Sequence, residues 1–236
     1  MLPLKVNFFP LMMEIIMKHS SKRLTAIVSI LLFSVGLMLS SNVIAAGGKK
    51  ATQAALDSAI AGLQDQLTEL GSPQTYEIGD RGPAGGWVFY VNEYGDHGLE
   101  AAPYNQSEEG IPWYNGTYTN TEAHGDGIGA GEMNTMLIIA NQGSISYTYA
   151  AGLCANLVIN YQGVEFGDWY LPSKKELELM FSNLNIFNER PYWSSSEYSD
   201  ELYGNEFAWS QHSSGQSPSA TNKNSTIPTV RAIRAF

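Results

Sequence analysis

The sequence predicts an α+β domain, preceded by an export signal and a short helical segment. Aromatic and β-branched runs bounded by Gly or Pro predict strands near both ends of the domain, at Trp87–Val91 and Thr229–Phe236. A clear helix start follows Pro172, and a long irregular loop is expected over residues 104–131. Together these three observations favour the α+β class.

Residues 1–46 differ from the rest of the chain and predict a secretory signal peptide. A basic segment precedes the apolar run Leu24–Leu39, and small residues follow up to Ala46. The run has about 16 residues, fewer than the roughly 20 that span a bilayer, so cleavage is favoured over a retained anchor. Met17 is a more usual start for such a signal than Met1. We expect an exported mature chain, at the cell surface, secreted or periplasmic, and not embedded in a membrane.

The charge of the mature chain restricts its partners. From Gly47 onward the chain has 9 Lys and Arg against 22 Asp and Glu, a net charge near −13. Nucleic acid and anionic membranes are excluded, because both are bound through clustered Lys and Arg. Cations, neutral glycans and basic proteins stay possible. Cys154 is the only cysteine, so no internal disulfide is expected, and its apolar surroundings predict a buried, inert thiol.

Residues 47–74 are predicted to form a short coiled-coil-like helix and a linker to the domain of residues 75–236. Apolar residues spaced 4, 3, 4, 3 form a heptad seam: Leu56, Ile60, Leu63, Leu67 and Leu70. Fewer than three heptads are marginal as an isolated helix. The seam therefore predicts a homo-oligomer, and the alternative is one amphipathic helix that lies on its own domain.

The first half of the domain is predicted to contain two short strands and two helices. After the first strand, a second strand is expected at Leu99–Ala102. The glycines of the turn Gly82–Gly86 are not a phosphate-binding loop, because no helix follows them. Helices are predicted at Glu132–Gln142 and at Tyr147–Leu157, the latter capped by Ser146.

The second half is predicted to begin with a strand, a turn and a capped helix. Asp168–Leu171 is expected to be a strand, and Ser173 with Glu176 forms the S-x-x-E pattern of a capping box. Ser173 and Glu176 are thereby interpreted as structural residues. The remaining predicted strands are Tyr192–Ser195, Glu206–Ser210 and Thr229–Phe236.

Aromatic residues in polar loops are the main candidates for ligand contacts. Flat rings beside amide and hydroxyl groups suit the faces of sugars and peptides. The alternative is that several of these rings anchor the loops to the core. The candidate ligand-binding residues are Trp113, Tyr114, Asn115, Tyr118, Glu197, Tyr198 and Tyr203.

The sequence offers weaker signals for catalysis or a metal. Ser194, Ser195 and Ser196 lack a nucleophile elbow, and the histidines are scattered without the spacing of a zinc site. Acidic loop residues suggest Ca²⁺, but no EF-hand or repeat pattern is present, so solvated loops are favoured over a calcium site. The acidic residues considered are Glu93, Asp96, Glu100, Glu197, Asp200, Glu201 and Glu206. We predict no catalytic residue, no metal and no cofactor.

Several phrases of the domain resemble one family, the C-terminal domain of the Legionella collagen-like adhesin (Lcl). The phrases are YEIGDRGPAGGWVFYV at Tyr76–Val91, GLEAAP at Gly98–Pro103, the segment Ile128–Thr135, DWYLPSKKEL at Asp168–Leu177, YWSSSE at Tyr192–Glu197 and VRAIRAF at Val230–Phe236. The resemblance spans nearly all of residues 76–236. It implies an exported, often trimeric adhesion module, with glycosaminoglycan binding attributed to the namesake. No collagen Gly-X-Y repeat is present, and the strongly acidic charge argues against a sulfated polysaccharide as ligand.

LPSKKEL and VRAIRAF are also distantly similar to the formylglycine-generating, sulfatase-modifying enzymes. That similarity implies a C-type-lectin-like core in which the first and last strands pair. The enzymatic role does not carry over, because its cysteines have no counterpart in the matching motifs. We therefore expect a non-enzymatic adhesion module that recognises glycans or a cell-surface protein. The alternative is a structural, oligomerising component of a surface layer or appendage, without a small ligand.

Overall fold

The computed structural model describes residues 57–62, 74–107, 109–143, 147–200 and 204–236. The chain divides into two compact units, Met1–Ser72 and Pro73–Phe236. In the first unit, residues 57–62 are helical and the side chain of Ile60 is exposed. The predicted signal peptide and the other seam positions, Leu56, Leu63, Leu67 and Leu70, lie outside the described residues.

The second unit mixes helices with antiparallel sheets, as the predicted α+β class requires. Its strands are β1 (Trp87–Val91), β2 (Gly98–Ala101), β3 (Ile159–Tyr161), β4 (Val164–Phe166), β5 (Pro191–Asp200), β6 (Gly204–His212), β7 (Ser219–Asn222) and β8 (Ile233–Ala235). Its helices are α1 (Ala130–Gln142), α2 (Ala150–Ala155) and α3 (Lys174–Asn183).

The first sheet has the order β1-β2-β8, and both pairings are antiparallel. The expectation that the first and last strands pair directly is wrong, because β2 lies between them. A short connection joins β1 to β2, so these strands pair locally and β8 adds to the free edge of β2. In that register Glu100 lies opposite Arg234, and their side chains form an ion pair of 3.1 Å. This cross-strand pair stabilises the position of β8.

The remaining strands form a hairpin and a second sheet. In the hairpin, Gln162 and Gly163 have φ values of 53° and 84° between β3 and β4. Positive φ at both central residues is the requirement of a two-residue type I′ hairpin turn, and Gly163 meets it without strain. The second sheet has the order β5-β6-β7. Its strands β5 and β6 are longer than predicted, and the sequence did not predict β3, β4 or β7.

Two predicted strands are shorter in the structure. Of Asp168–Leu171, only Tyr170 pairs in a bridge, with Ile233, through two backbone hydrogen bonds of 2.9 Å. The predicted strand Thr229–Phe236 is regular only in β8. Before β8 the backbone hydrogen-bond partners change at almost every residue. Thr229 bonds to Pro191 and Trp193, whereas the carbonyl of Ala232 accepts from Ala102. No single neighbouring strand therefore extends the ladder.

Two of the three helices match the sequence prediction, and one is shorter than predicted. α1 ends at the predicted Gly143, and α3 begins with the predicted capping box. The predicted helix Tyr147–Leu157 is reduced to α2, since the backbone N–H of Ala150 donates to Pro112 rather than extending an earlier turn. Its N-cap is Tyr149 without a side-chain bond, and the predicted cap Ser146 lies outside the described residues.

Two hydrophobic clusters form the core of the second unit. One lies around Trp113, Trp169 and Trp193, and it includes the buried Cys154. The other lies between α3 and the first sheet, around Tyr192 and Phe89. Residues 102–129, apart from residue 108, contain no helix or strand, which confirms most of the predicted irregular loop.

Candidate functional site

A buried ion pair holds the long loop against the second sheet. Lys223, which directly follows β7, contacts the carboxylate of Glu197 in β5, and both side chains are almost fully buried. The second carboxylate oxygen, Oε2, accepts hydrogen bonds of 2.8 Å from both the backbone N–H and the hydroxyl of Thr121. Lys223 Nζ also donates to the carbonyl of Thr119 at 3.0 Å. Glu197, a predicted ligand contact, is therefore placed where it fixes the loop.

The charge of Lys223 is stabilised from several sides. Burial lowers the pKa of Lys223, and the contact with Glu197 opposes that shift. The ring of Trp113 lies 4.6 Å from Nζ, close enough for a cation–π interaction. Trp113 itself is fully buried and donates from Nε1 to the carbonyl of Ser194 at 2.8 Å. The structure thus places Trp113 as a loop anchor in the core.

Tyr114 and Tyr118 are half-buried on the outer side of the same loop. Their rings stack with centroids 4.7 Å apart and an angle of 25° between the planes. Tyr118 donates from its hydroxyl to Asn222 Oδ1 in β7 at 2.8 Å. Between the tyrosines, the exposed Asn115 bonds to Gln142 of α1 through its backbone N–H and its side-chain amide. These contacts hold the loop surface in one conformation.

A cleft of about 270 Å³ lies where this loop meets the end of β5 and the start of β6. We call it the β5–β6 cleft, and its lining residues are Asn120, Glu197, Tyr198, Ser199, Asp200, Gly204 and Asn205. Of the predicted ligand-binding residues, Glu197 and Tyr198 line this cleft, and Trp113, Tyr114, Asn115 and Tyr118 do not. Tyr203, the last candidate, lies outside the described residues.

Tyr198 is held in the cleft by two neighbours. Its ring packs edge to face with Trp209, with centroids 5.1 Å apart, and its hydroxyl donates to Asp200 Oδ2 at 3.0 Å. Sequence reasoning singled out neither Trp209 nor Asn205. The alternation of Phe207 and Trp209 in β6 was an available signal, because residues two apart share one face of a strand.

The possible nucleophiles are engaged in structural contacts. Ser194 and Ser196 donate from their hydroxyls to the backbone carbonyls of Trp209 and Gly125. Ser195 accepts from the amide of Asn134 at 3.2 Å. Burial raises the pKa of the Cys154 thiol, which disfavours the reactive thiolate.

The acidic residues considered for Ca²⁺ are dispersed. Glu100 and Glu197 are buried in ion pairs, Asp96 accepts from Asn92, and Glu201 lies outside the described residues. Across the part of the chain that the structure describes, no three His, Cys, Asp or Glu side chains are grouped so that they could hold a metal ion.

Comparison with known proteins gives no further identification. No protein-family model matches the chain, and no curated protein sequence matches it. Within the described ranges, no helix has the length and apolar character needed to cross a membrane. The functional conclusion therefore depends on the geometry of the β5–β6 cleft and on the charges around it.

Proposed function

We propose that the protein is an exported, non-enzymatic adhesion module that binds glycans through the β5–β6 cleft. The observation that carries this proposal is the cleft itself. It combines the half-buried ring of Tyr198 with the polar groups of Asn120, Asp200 and Asn205. An aromatic face with a few fixed polar groups is the usual composition of a small-ligand site, and it suits a sugar ring.

The contacts that hold the surrounding loop in place support a binding function for its surface. The Lys223–Glu197 pair and the Trp113 anchor order the loop before any ligand arrives. A preorganised loop loses less conformational entropy on binding. A long loop that is held against an antiparallel sheet also supports our proposal that the fold is C-type-lectin-like.

The charges in the second unit favour neutral or cationic ligands over sulfated polysaccharides. Four of its seven Lys and Arg residues form ion pairs with carboxylates, and Arg231 is buried. A sulfated chain needs clustered cations that remain available for its anions. We therefore propose a cell-surface or secreted location with a glycan partner, and not binding of glycosaminoglycans.

Glycan-array binding by the mature protein tests this function. We expect binding to one group of neutral or amine-bearing glycans, and the Tyr198→Ala variant should weaken it about tenfold, which corresponds to about 1.4 kcal/mol. Tyr94→Ala is the matched control, because Tyr94 is 63% exposed and lies in another loop. Both variants are first checked for native thermal unfolding. If the native protein binds no neutral, amine-bearing or acidic glycan, with or without Ca²⁺, the proposal is refuted.

The second candidate is a structural, oligomerising role without a small ligand. One observation favours it, namely that Ile60 is 37% exposed on the helical residues 57–62. An apolar seam position is covered when helices pair. We propose a homo-oligomer, preferably a trimer, and light scattering of the mature chain measures it. A monomer would refute the oligomer, and an oligomer that binds no glycan would favour the structural role.

A further inference from the structure

We propose that Tyr114 and Tyr118 form an oxidative modification site, at which a haem peroxidase and hydrogen peroxide join the two phenol rings into a dityrosine cross-link. The site is separate from the proposed glycan-binding site, because neither ring lines the β5–β6 cleft. Three properties of the pair carry the proposal: the distance between the rings, their relative orientation and the contacts that hold them together.

The two rings are stacked with their hydroxyl groups at the same end. Their centroids are 4.7 Å apart, and the ring planes differ by 25°. Burial raises the pKa of Tyr118, and the neighbouring Tyr114 raises it further through its charge and a hydrogen bond between the two side chains. In a nearly parallel stack with adjoining hydroxyl groups, the ring carbons ortho to one hydroxyl lie beside those of the other ring. These ortho carbons carry the unpaired electron density when a phenol is oxidised.

Gln142, at the end of α1, holds the segment that joins the two rings. Its Oε1 accepts from the backbone N–H of Asn115 at 2.9 Å. Its Nε2 donates to the carbonyl of Thr117 at 3.3 Å and to the hydroxyl of Thr119 at 2.7 Å. The fold therefore keeps the rings in contact, and groups held in contact combine much faster than the same groups on separate molecules.

The cross-linking reaction begins with the loss of one electron and one phenolic proton from each tyrosine. The two phenoxyl radicals join through one ortho carbon of each ring, which forms a carbon–carbon bond. The hydrogen on each of these carbons then moves to the phenol oxygen, so both hydroxyl groups are restored. In total two electrons and two protons leave the protein, and they reduce one hydrogen peroxide molecule to two waters.

The product is a covalent staple on the outer side of the long loop. Both tyrosines are half-buried, so part of each ring remains at the surface where oxidation can begin. Cys154 is the only cysteine of the chain, so no internal disulfide can staple this loop. A tyrosine cross-link supplies such a staple without a second cysteine.

Oxidation of the dilute mature protein with a haem peroxidase and hydrogen peroxide tests the proposal. We expect dityrosine fluorescence in the single-chain band of a denaturing gel. Mass spectrometry should show that the peptide with both tyrosines has lost two hydrogen atoms. Fragmentation of that peptide should give no cleavage product between residues 114 and 118, because the cross-link bridges this segment.

Four variants separate the held geometry from random coupling. Tyr114→Phe and Tyr118→Phe each keep an aromatic ring and remove one phenol, so each should lower the single-chain yield about tenfold or more. Tyr94→Phe is the matched control, because Tyr94 is 63% exposed and lies in another loop, and it should keep the native yield. Gln142→Ala keeps both phenols but releases the segment between them, so the yield should fall about threefold. Thermal unfolding verifies that all four variants are folded.

Each other result counts against the proposal. Absence of dityrosine from the single-chain band would overturn it, and so would an undiminished yield in Tyr114→Phe or Tyr118→Phe. An unchanged yield in Gln142→Ala would contradict it as well, because random encounters of two loop tyrosines would then explain the coupling. Glycan binding is measured on the unoxidised protein, so failure of the cross-link and failure of the proposed function are distinguishable.

Discussion

At the scale of single residues, Glu176 joins two helix starts. Its Oε2 accepts from the backbone N–H of Ser173, and its Oε1 accepts from the N–H of Gly129, both at 2.7 Å. Ser173 caps α3, and Gly129 is the N-cap of α1. A side chain at Gly131 would collide with the same carboxylate, so glycine is required there. The buried carboxylate therefore occupies the position in which a helix N-terminus would otherwise bind an anion.

The Glu176→Ala substitution should lower the free energy of unfolding by about 2–4 kcal/mol, because it leaves the buried N–H of Ser173 and the partly buried N–H of Gly129 without an acceptor. Urea unfolding measures the loss. Glu178→Ala is the control in the same helix, since Glu178 is exposed and forms only a surface pair with Lys175. It should cost less than about 1 kcal/mol. Similar losses in the two variants would contradict the assigned role of Glu176.

The sequence predicted only part of what Glu176 does. The spacing of Ser173 and Glu176 indicated the capping box, because both partners lie within one helical turn. The bond to Gly129 spans 47 residues and depends on how α1 packs, so no local pattern indicates it. For Trp113 the sequence left a ligand contact and a core anchor as alternatives. Burial and the bond to Ser194 favour the anchor.

At the scale of elements, the segments that the sequence missed are those whose structure depends on a partner. β7 consists of Ser219–Asn222, a segment in which only Thr221 favours a strand, and it becomes a strand by pairing with β6. Gln162 and Gly163 are a local turn signal for the hairpin β3–β4, but its three-residue strands are too short to show an alternating pattern. Finding the cleft requires the path of the long loop, which is set by contacts between residues far apart in sequence, such as Thr121 with Glu197 and Tyr118 with Asn222.

The Lys223–Glu197 pair makes a prediction about the long loop. Lys223→Met should cost about 3–5 kcal/mol, since it leaves the Glu197 charge buried without a counter-ion. The double variant Lys223→Met/Glu197→Leu should recover much of that loss in urea unfolding. Hydrogen exchange at the Thr121 amide, which donates to Glu197, should accelerate in both variants.

The exposed pair Lys175–Glu178 is the reference for this experiment. The matching Lys175→Met and Glu178→Leu changes should alter stability by less than about 1 kcal/mol, because solvent screens an exposed pair. If Lys223→Met costs no more than Lys175→Met, the buried pair does not hold the loop. Unchanged exchange at Thr121 would lead to the same conclusion.

At the scale of the whole molecule, buried carboxyls give the stability a defined pH dependence. Burial raises the pKa of Glu100 and of Glu176 above the ordinary value of 4.5, although backbone N–H groups oppose the shift. Between the ordinary and the raised pKa, the folded state holds protons that the unfolded state has already released. The contribution of these groups to stability is therefore fully present at low pH and is lost as the pH rises through the folded pKa.

Glu100→Gln should make this dependence shallower, because it removes one of the titrating groups. Urea unfolding from about pH 4 to about pH 7 measures the slope of the unfolding free energy. The exposed Glu165→Gln variant should retain the native slope. A native decline that persists unchanged in Glu100→Gln would contradict the assignment of the raised pKa to a folded-state effect of burial.

The buried contacts of the long loop determine which of its positions tolerate mutation. Lys223, Glu197 and Trp113 secure the loop from within, so an exposed side chain on its outer side, such as that of Thr117, contributes little to folding. Mutations there can accumulate without loss of expression. A library randomised at these outer positions should yield many folded clones, so the domain is a suitable scaffold for selecting new binders.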